Sequence, residues 1–255
     1  MVLVPGACLG GWAWQEVARR LRISGHEVYP VTLTGLGERV HLAAPDVDLN
    51  THVADVVNLL DYERLSDAVL VGHSYAGVVV EAVADRRPQR LDAVVYLDTG
   101  PLPDGTAIVD VQSSEQRERQ EREVAGRGDG WRWPVPDRAT IESGAFGSAS
   151  GLEDAHFKLL EERATPHPYA TFKTPLALAG GASDVRRVAV FGSQGGMDSN
   201  QLRSLIEQGD PRAASFADPD WELHSLATGH WAMFSAPAAL AELLHEIGSQ
   251  PPVEG

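Results

Sequence analysis

Apolar and polar positions alternate along this chain between two periods. Short, nearly continuous apolar runs at residues 1–4, 27–33, 68–71, 91–97, 187–191 and 221–226 have the length and content of strands buried on both faces. Between them, residues 12–21, 51–62, 75–87, 200–208 and 237–247 carry apolar side chains at helical spacing, as in Trp14, Val17 and Leu21. Asn50 is placed to open the second of these helices, and Gly25 to stop the turn after the first. Repeated strand and helix units predict a mostly parallel sheet flanked by helices. The pattern breaks at residues 99–184, which hold Pro/Gly-rich turns, a Glu/Arg-rich stretch at 115–123, scattered aromatics and no clear strand. This segment reads as a mostly helical insertion, its charged stretch as a solvated helix face. The expected organisation is therefore a core of residues 1–98 and 185–255, with a lid at 99–184.

Composition narrows the function. The 255 residues hold 21 Lys and Arg against 36 Asp and Glu, a formal charge of −15, so phosphate-rich partners and anionic membrane surfaces are disfavoured. The apolar start lacks a basic segment and is broken by Pro5, Gly6, Gly10 and Gly11, unlike a signal peptide, and no 18-residue apolar run follows. Cys8 is the only cysteine, which excludes an intrachain disulfide and a cysteine metal cluster and suits a reducing cytoplasm. Arginine-rich, lysine-poor usage points to a GC-rich bacterial source. Oligomeric state is left open, a homodimer among the options.

Chemistry concentrates at three places. Gly72-His-Ser-Tyr-Ala-Gly77 lies between an expected strand and an expected helix, the context a nucleophile elbow requires. Small neighbours allow the sharp turn that presents Ser74 at a helix N-terminus, where the dipole favours developing negative charge. A serine hydroxyl needs a base within reach, and His230 follows the last expected strand at the same sheet edge. His73 borders the nucleophile but is expected to point away in a structural role. Asp198, in the loop after the penultimate strand, is the first choice for the acid that orients His230. It also precedes a helix and could simply cap it. Asp98, at the end of strand 91–97, is the rival. Backbone N–H groups of Ala7 and Tyr75 are placed to hold an oxyanion.

Residues 3–14 (LVPGACLGGWAW), 32–39 (TLTGLGER), 72–77, 95–98 (VYLD) and 229–233 (GHWAM) together resemble the α/β-hydrolase superfamily. Within it they are most similar to the esterase and hydroxynitrile-lyase branch, with its bacterial carboxylesterases and plant methyl esterases. That resemblance spans nearly the whole chain and implies an α/β-hydrolase fold, a Ser74, Asp198, His230 triad, a lid from the insertion and no cofactor. Two positions depart from the family pattern. Pro5 stands where many relatives carry histidine, and Gly195 falls near the family's acid position, three residues before Asp198. The lyases place threonine in the oxyanion loop and lysine after the histidine, where this chain has Gly6 and Trp231, so the resemblance points to the esterases.

The expected function is that of a serine hydrolase acting through an acyl-enzyme on a small apolar or aromatic ester. Trp131, Trp133, Tyr169 and Phe172 of the insertion are the expected substrate contacts. The alternative is a non-hydrolytic protein on the same fold: a ligand-binding protein, or a lyase or cyclase with His230 as base.

Overall fold

The computed structural model describes residues 1–181 and 185–250. Six parallel strands form one sheet in the order β2-β1-β3-β4-β7-β8, with β1 Val2–Val4, β2 Tyr29–Pro30, β3 Ala68–His73, β4 Leu91–Leu97, β7 Arg186–Gly192 and β8 Glu222–Leu226. Strand side chains alternate between faces. Val4, Leu70, Val94, Tyr96 and Ala189 meet α2 (Leu49–Tyr62) and α3 (Ala76–Arg86) on one face. Leu3, Val71, Val95, Leu97 and Val190 meet α1 (Gln15–Ile23) and α11 (Pro237–Gly248) on the other. Helices thus cover both faces, which is why every residue of β3 is buried.

Several expected bounds shift for local reasons. The strand expected over 27–33 pairs only at Tyr29 and Pro30, at the sheet edge, where the N–H groups of Tyr29 and Val31 donate to Met1 O and Leu3 O and Pro30, which has no N–H, falls between them. Helix α2 is opened by Asp48, not Asn50, since the Asp48 carboxylate accepts from Thr51 N–H at 3.0 Å.

β4 and β7 are adjacent, in register from Ala93↔Arg186 to Leu97↔Val190, so the chain between them leaves the sheet and returns to it. This excursion holds α4 (Ile108–Val111), α5 (Ser114–Arg127), α6 (Arg138–Glu142), α7 (Asp154–Arg163) and α8 (Ala170–Lys173). It also contains strands, which its sequence pattern does not predict: β5 (Arg132–Trp133) and β6 (His167–Pro168) form a short antiparallel pair. Two residues per strand leave no periodicity to read. The expected boundary at 184/185 falls at the edge of the described residues, with 184 itself outside them. Helices α9 (Ser199–Glu207) and α10 (Ala232–Ser235) complete the set. Among the described residues no helix is long and apolar enough to cross a membrane.

Candidate active site

Parallel pairing brings the C-terminal ends of β3, β4, β7 and β8 side by side, and the candidate residues stand there. Ser74 follows β3 with φ of 52°, in the left-handed region that a non-glycine residue rarely occupies. Its N–H donates to Leu97 O at 3.1 Å and its carbonyl accepts from Gly77 N–H at 2.9 Å, which closes the turn into α3. The glycines of the motif are needed for space. A Cβ at Gly72 would lie 2.7 Å from Val80, and one at Gly77 2.7 Å from Thr99 Oγ1.

Asp98 follows β4 in the same backbone conformation, with φ of 50°. Two left-handed non-glycine residues at neighbouring strand ends mark local strain held by the surrounding packing. The Asp98 N–H donates to Val190 O at 2.7 Å, which ties it to β7. Its Oδ1 accepts from Gly192 N–H at 3.0 Å, and its Oδ2 lies 2.5 Å from His230 Nδ1. Burial alone would raise the Asp98 carboxyl. The hydrogen bond and charge of His230, with the Gly192 N–H, outweigh burial and hold it below the usual carboxylate range. A carboxylate only accepts, so His230 Nδ1 carries the proton and Nε2 is left as the basic nitrogen.

His230 is held from behind. Its N–H donates to Ser148 O at 2.8 Å, its carbonyl accepts from His73 Nε2 at 2.9 Å, and the two imidazole centroids are 4.6 Å apart. His73 is 1% exposed. Burial, with the neighbouring His230, lowers it to about 3, so it stays neutral and acts as a donor to the His230 backbone. Gly6 passes so close that a Cβ there would sit 2.6 Å from His73 Nδ1.

Ala7 and Tyr75 line the same cavity as Ser74 and His230, and among the described residues neither backbone N–H donates to a protein acceptor. Both flanks are braced. Cys8 N–H donates to His167 Nδ1 at 3.0 Å, and Thr165 N–H donates to Cys8 O at 3.0 Å. The Tyr75 hydroxyl meets His52 Nδ1 at 2.8 Å, while His52 Nε2 donates to Thr34 O at 2.9 Å. Burial lowers His52 to about 4 and His167 well below the usual imidazole range, so both are neutral braces.

Asp198 lies elsewhere. It caps α9, its Oδ1 accepting from Gln201 N–H at 2.8 Å while the Gln201 side chain accepts from Asp198 N–H at 3.1 Å. The carboxyl hydrogen-bonded to His230 is that of Asp98, and Asp198 serves the reciprocal capping box that a Ser/Asp-x-x-Gln pattern builds before a helix. This corrects the preference for Asp198. Gly195 and Gly196 line a small hollow behind His230, together with Asp98 and Ser148.

The main cavity is about 350 Å³. Its walls come from the first loop, from α3 and from the excursion, including Leu102, Ile108, Trp133, Phe146, Leu160 and Phe172. Of the four expected substrate aromatics, Trp133 and Phe172 reach this wall and Trp131 and Tyr169 do not. Trp131 stacks beneath the Arg132 guanidinium at 5.0 Å, and Tyr169 packs against Phe172 and the Lys173 ammonium. Sequence reasoning also missed Gln112 and Gln120, which lie on the wall. The one signal at Gln120 was a neutral residue in a helix charged at eight of fourteen positions.

Residues 1–243 match the model of the alpha/beta hydrolase family. A carbendazim-hydrolyzing esterase from Nocardioides sp. (strain SG-4G) is 32% identical over 252 residues, covering 97% of this chain and 98% of the relative. The chain belongs to the alpha/beta hydrolase family. Methylesterase 9 from Arabidopsis thaliana is 26% identical over 98% of both chains. Among solved structures, an extracellular alpha/beta-hydrolase from a Paenibacillus species superposes with a TM-score of 0.79 at 20% identity, over 98% of each chain. With named esterases among its full-length relatives, this member of the family is a carboxylesterase-like hydrolase.

Proposed function

We propose that the protein hydrolyses carboxylic esters of small, neutral, apolar or aromatic substrates through an acyl-enzyme on Ser74. The observation that carries this reading is the joint placement of Ser74 and His230 on one apolar cavity, with Asp98 Oδ2 2.5 Å from His230 Nδ1. Ser74 Oγ attacks the ester carbonyl as His230 Nε2 takes its proton. The N–H groups of Ala7 and Tyr75 hold the tetrahedral oxygen, and α3 adds the favourable end of its dipole. His230 then protonates the departing alkoxide, and water, activated by the same nitrogen, releases the acyl group. Asp98 fixes the Nδ1–H tautomer throughout and stabilises the imidazolium when it forms.

In this reading the described part of the insertion, residues 99–181, forms a lid that shapes the pocket. Relatives named for methyl-ester and carbendazim hydrolysis support a compact ester or acyl substrate. A bacterial cytoplasm fits the single, buried Cys8.

Exposure to a fluorophosphonate followed by intact-mass measurement tests the serine role. The expected result is one adduct, absent from Ser74→Ala, whose kcat on an aryl ester falls about 10⁶-fold. An unlabelled wild-type protein, or an equal adduct on Ser74→Ala, would overturn it.

A further inference from the structure

Helix α5 turns only two side chains fully into the protein, Gln120 and Val124, one turn apart. Valine is what an inward position of a surface helix normally holds, whereas glutamine is mostly found exposed. Gln120 is nevertheless 5% exposed, it borders the main cavity, and its Oε1 is shut off from solvent with no hydrogen-bond partner. Gln112, which ends α4, borders the same cavity, and its Oε1 is likewise buried and unpartnered. Buried polar groups in folded proteins are nearly always hydrogen-bonded, so two orphan carboxamide oxygens on one wall need an explanation. The rest of that wall holds no Lys, Arg or Glu, and its charged groups are those of the Asp98–His230 pair.

We propose that Gln112 and Gln120 are specificity-determining residues that recognise a neutral, carboxamide-type group on the substrate. The proposal rests on the esterase reading for its reaction and adds the substrate class. A carboxamide offers both an acceptor and two donors, so a ligand group that presents a carbonyl beside an N–H satisfies it in either orientation. A charged group finds no counter-charge on the lid wall, and a purely apolar one leaves both glutamines unpaired. Sites built to pair a ligand's polar group reject the analogue that lacks it far more strongly than apolar pockets discriminate by size.

The test measures binding to Ser74→Ala protein by calorimetry, so that no chemistry is involved. The probes are methyl 4-acetamidobenzoate and its apolar isostere, methyl 4-(2-methylpropyl)benzoate. Hydrophobic transfer alone favours the second ester. The expected result is that the acetamido ester binds at least about tenfold more tightly, the worth of one hydrogen bond made in a dry site. Gln120→Leu and Gln112→Leu, each in the Ser74→Ala background, are expected to erase or reverse that ratio. Gln120→Leu is also expected to raise Tm, because it removes a buried carbonyl oxygen that has no hydrogen-bond partner. Equal binding of the two esters, tighter binding of the isobutyl ester, or a ratio that survives both leucine variants would overturn the proposal. A lower Tm for Gln120→Leu would do the same by making the carboxamide a structural group. Failure of fluorophosphonate labelling bears on the serine reading alone, since this binding ratio does not depend on it.

Discussion

The end of β4 and the loop after β7 each hold an aspartate, and they differ in what the backbone asks of it. Asp98 occupies a left-handed conformation at a strand end, is tied to β7 through its own N–H, and has both carboxylate oxygens engaged. Asp198 lies in extended backbone and spends its carboxylate on the first turn of α9. Strained, doubly bonded geometry that no local element needs is the mark of a site. Geometry that a helix start fully explains is not. The position from which a family pattern expects the acid is here a glycine turn, with Gly195 at φ of 93°, and the carboxylate beside His230 comes from the neighbouring strand end instead.

Four outcomes would sharpen or break this contrast. The largest is for Asp98→Asn, where the wrong His230 tautomer is expected to lower kcat about 10⁴-fold while the protein still folds. Steady-state kinetics on an aryl ester, with circular dichroism as the fold control, checks it. Next is Gly6→Ala. Its Cβ would press on His73 Nδ1 at 2.6 Å and on Ser74 Cβ at 3.2 Å, shifting the elbow and the first-loop N–H together. A loss of about 10²-fold in kcat/KM is expected.

The third concerns pH. His52 and His73, lowered to about 4 and about 3, and His167, held by burial well below the usual imidazole range, are neutral in the fold but take a proton in the unfolded chain below about pH 6.5. The unfolded state therefore binds more protons, and stability falls as pH drops from about 6.5 toward the folded values. Each histidine contributes up to about 1.4 kcal/mol per pH unit. Asp98, depressed in the fold, adds its own loss only at lower pH, as it protonates. Thermal melts from pH 7 to pH 4.5 should show a steep decline that is shallower in His52→Gln, and a flat profile would contradict the buried neutral assignment. The smallest effect is for Asp198→Ala, with an expected loss of about 1 kcal/mol in stability from the missing cap and no change in kcat/KM.

Much of this was legible in the residues. The strand and helix periods placed the sheet, and the Gly72–Gly77 motif placed Ser74, because a nucleophile elbow is a local structure with local requirements. His230 could be read from its position after the last strand. The carboxylate partner of His230 could not be chosen between Asp98 and Asp198, because that depends on which of them lies beside His230, a tertiary fact with no local signature. The aspartate before α9 carried the stronger sequence signal and used it for a cap. Trp131 and Trp133 are two residues apart, yet only Trp133 reaches the cavity, since Trp131 lies in the turn before β5 and Trp133 in the two-residue strand itself, a change of structure with no readable period. Gln120 was hidden in a helix whose charges describe its outer face and say nothing of the two side chains turned inward.

The most direct test of the central claim is proton NMR of the His230 Nδ1–H, whose short bond to a carboxylate moves it far downfield of the amide envelope. The resonance should be present in wild type and in Asp198→Ala and absent from Asp98→Asn. A resonance that persists in Asp98→Asn and disappears in Asp198→Ala would contradict the account and return the acid to the loop after β7.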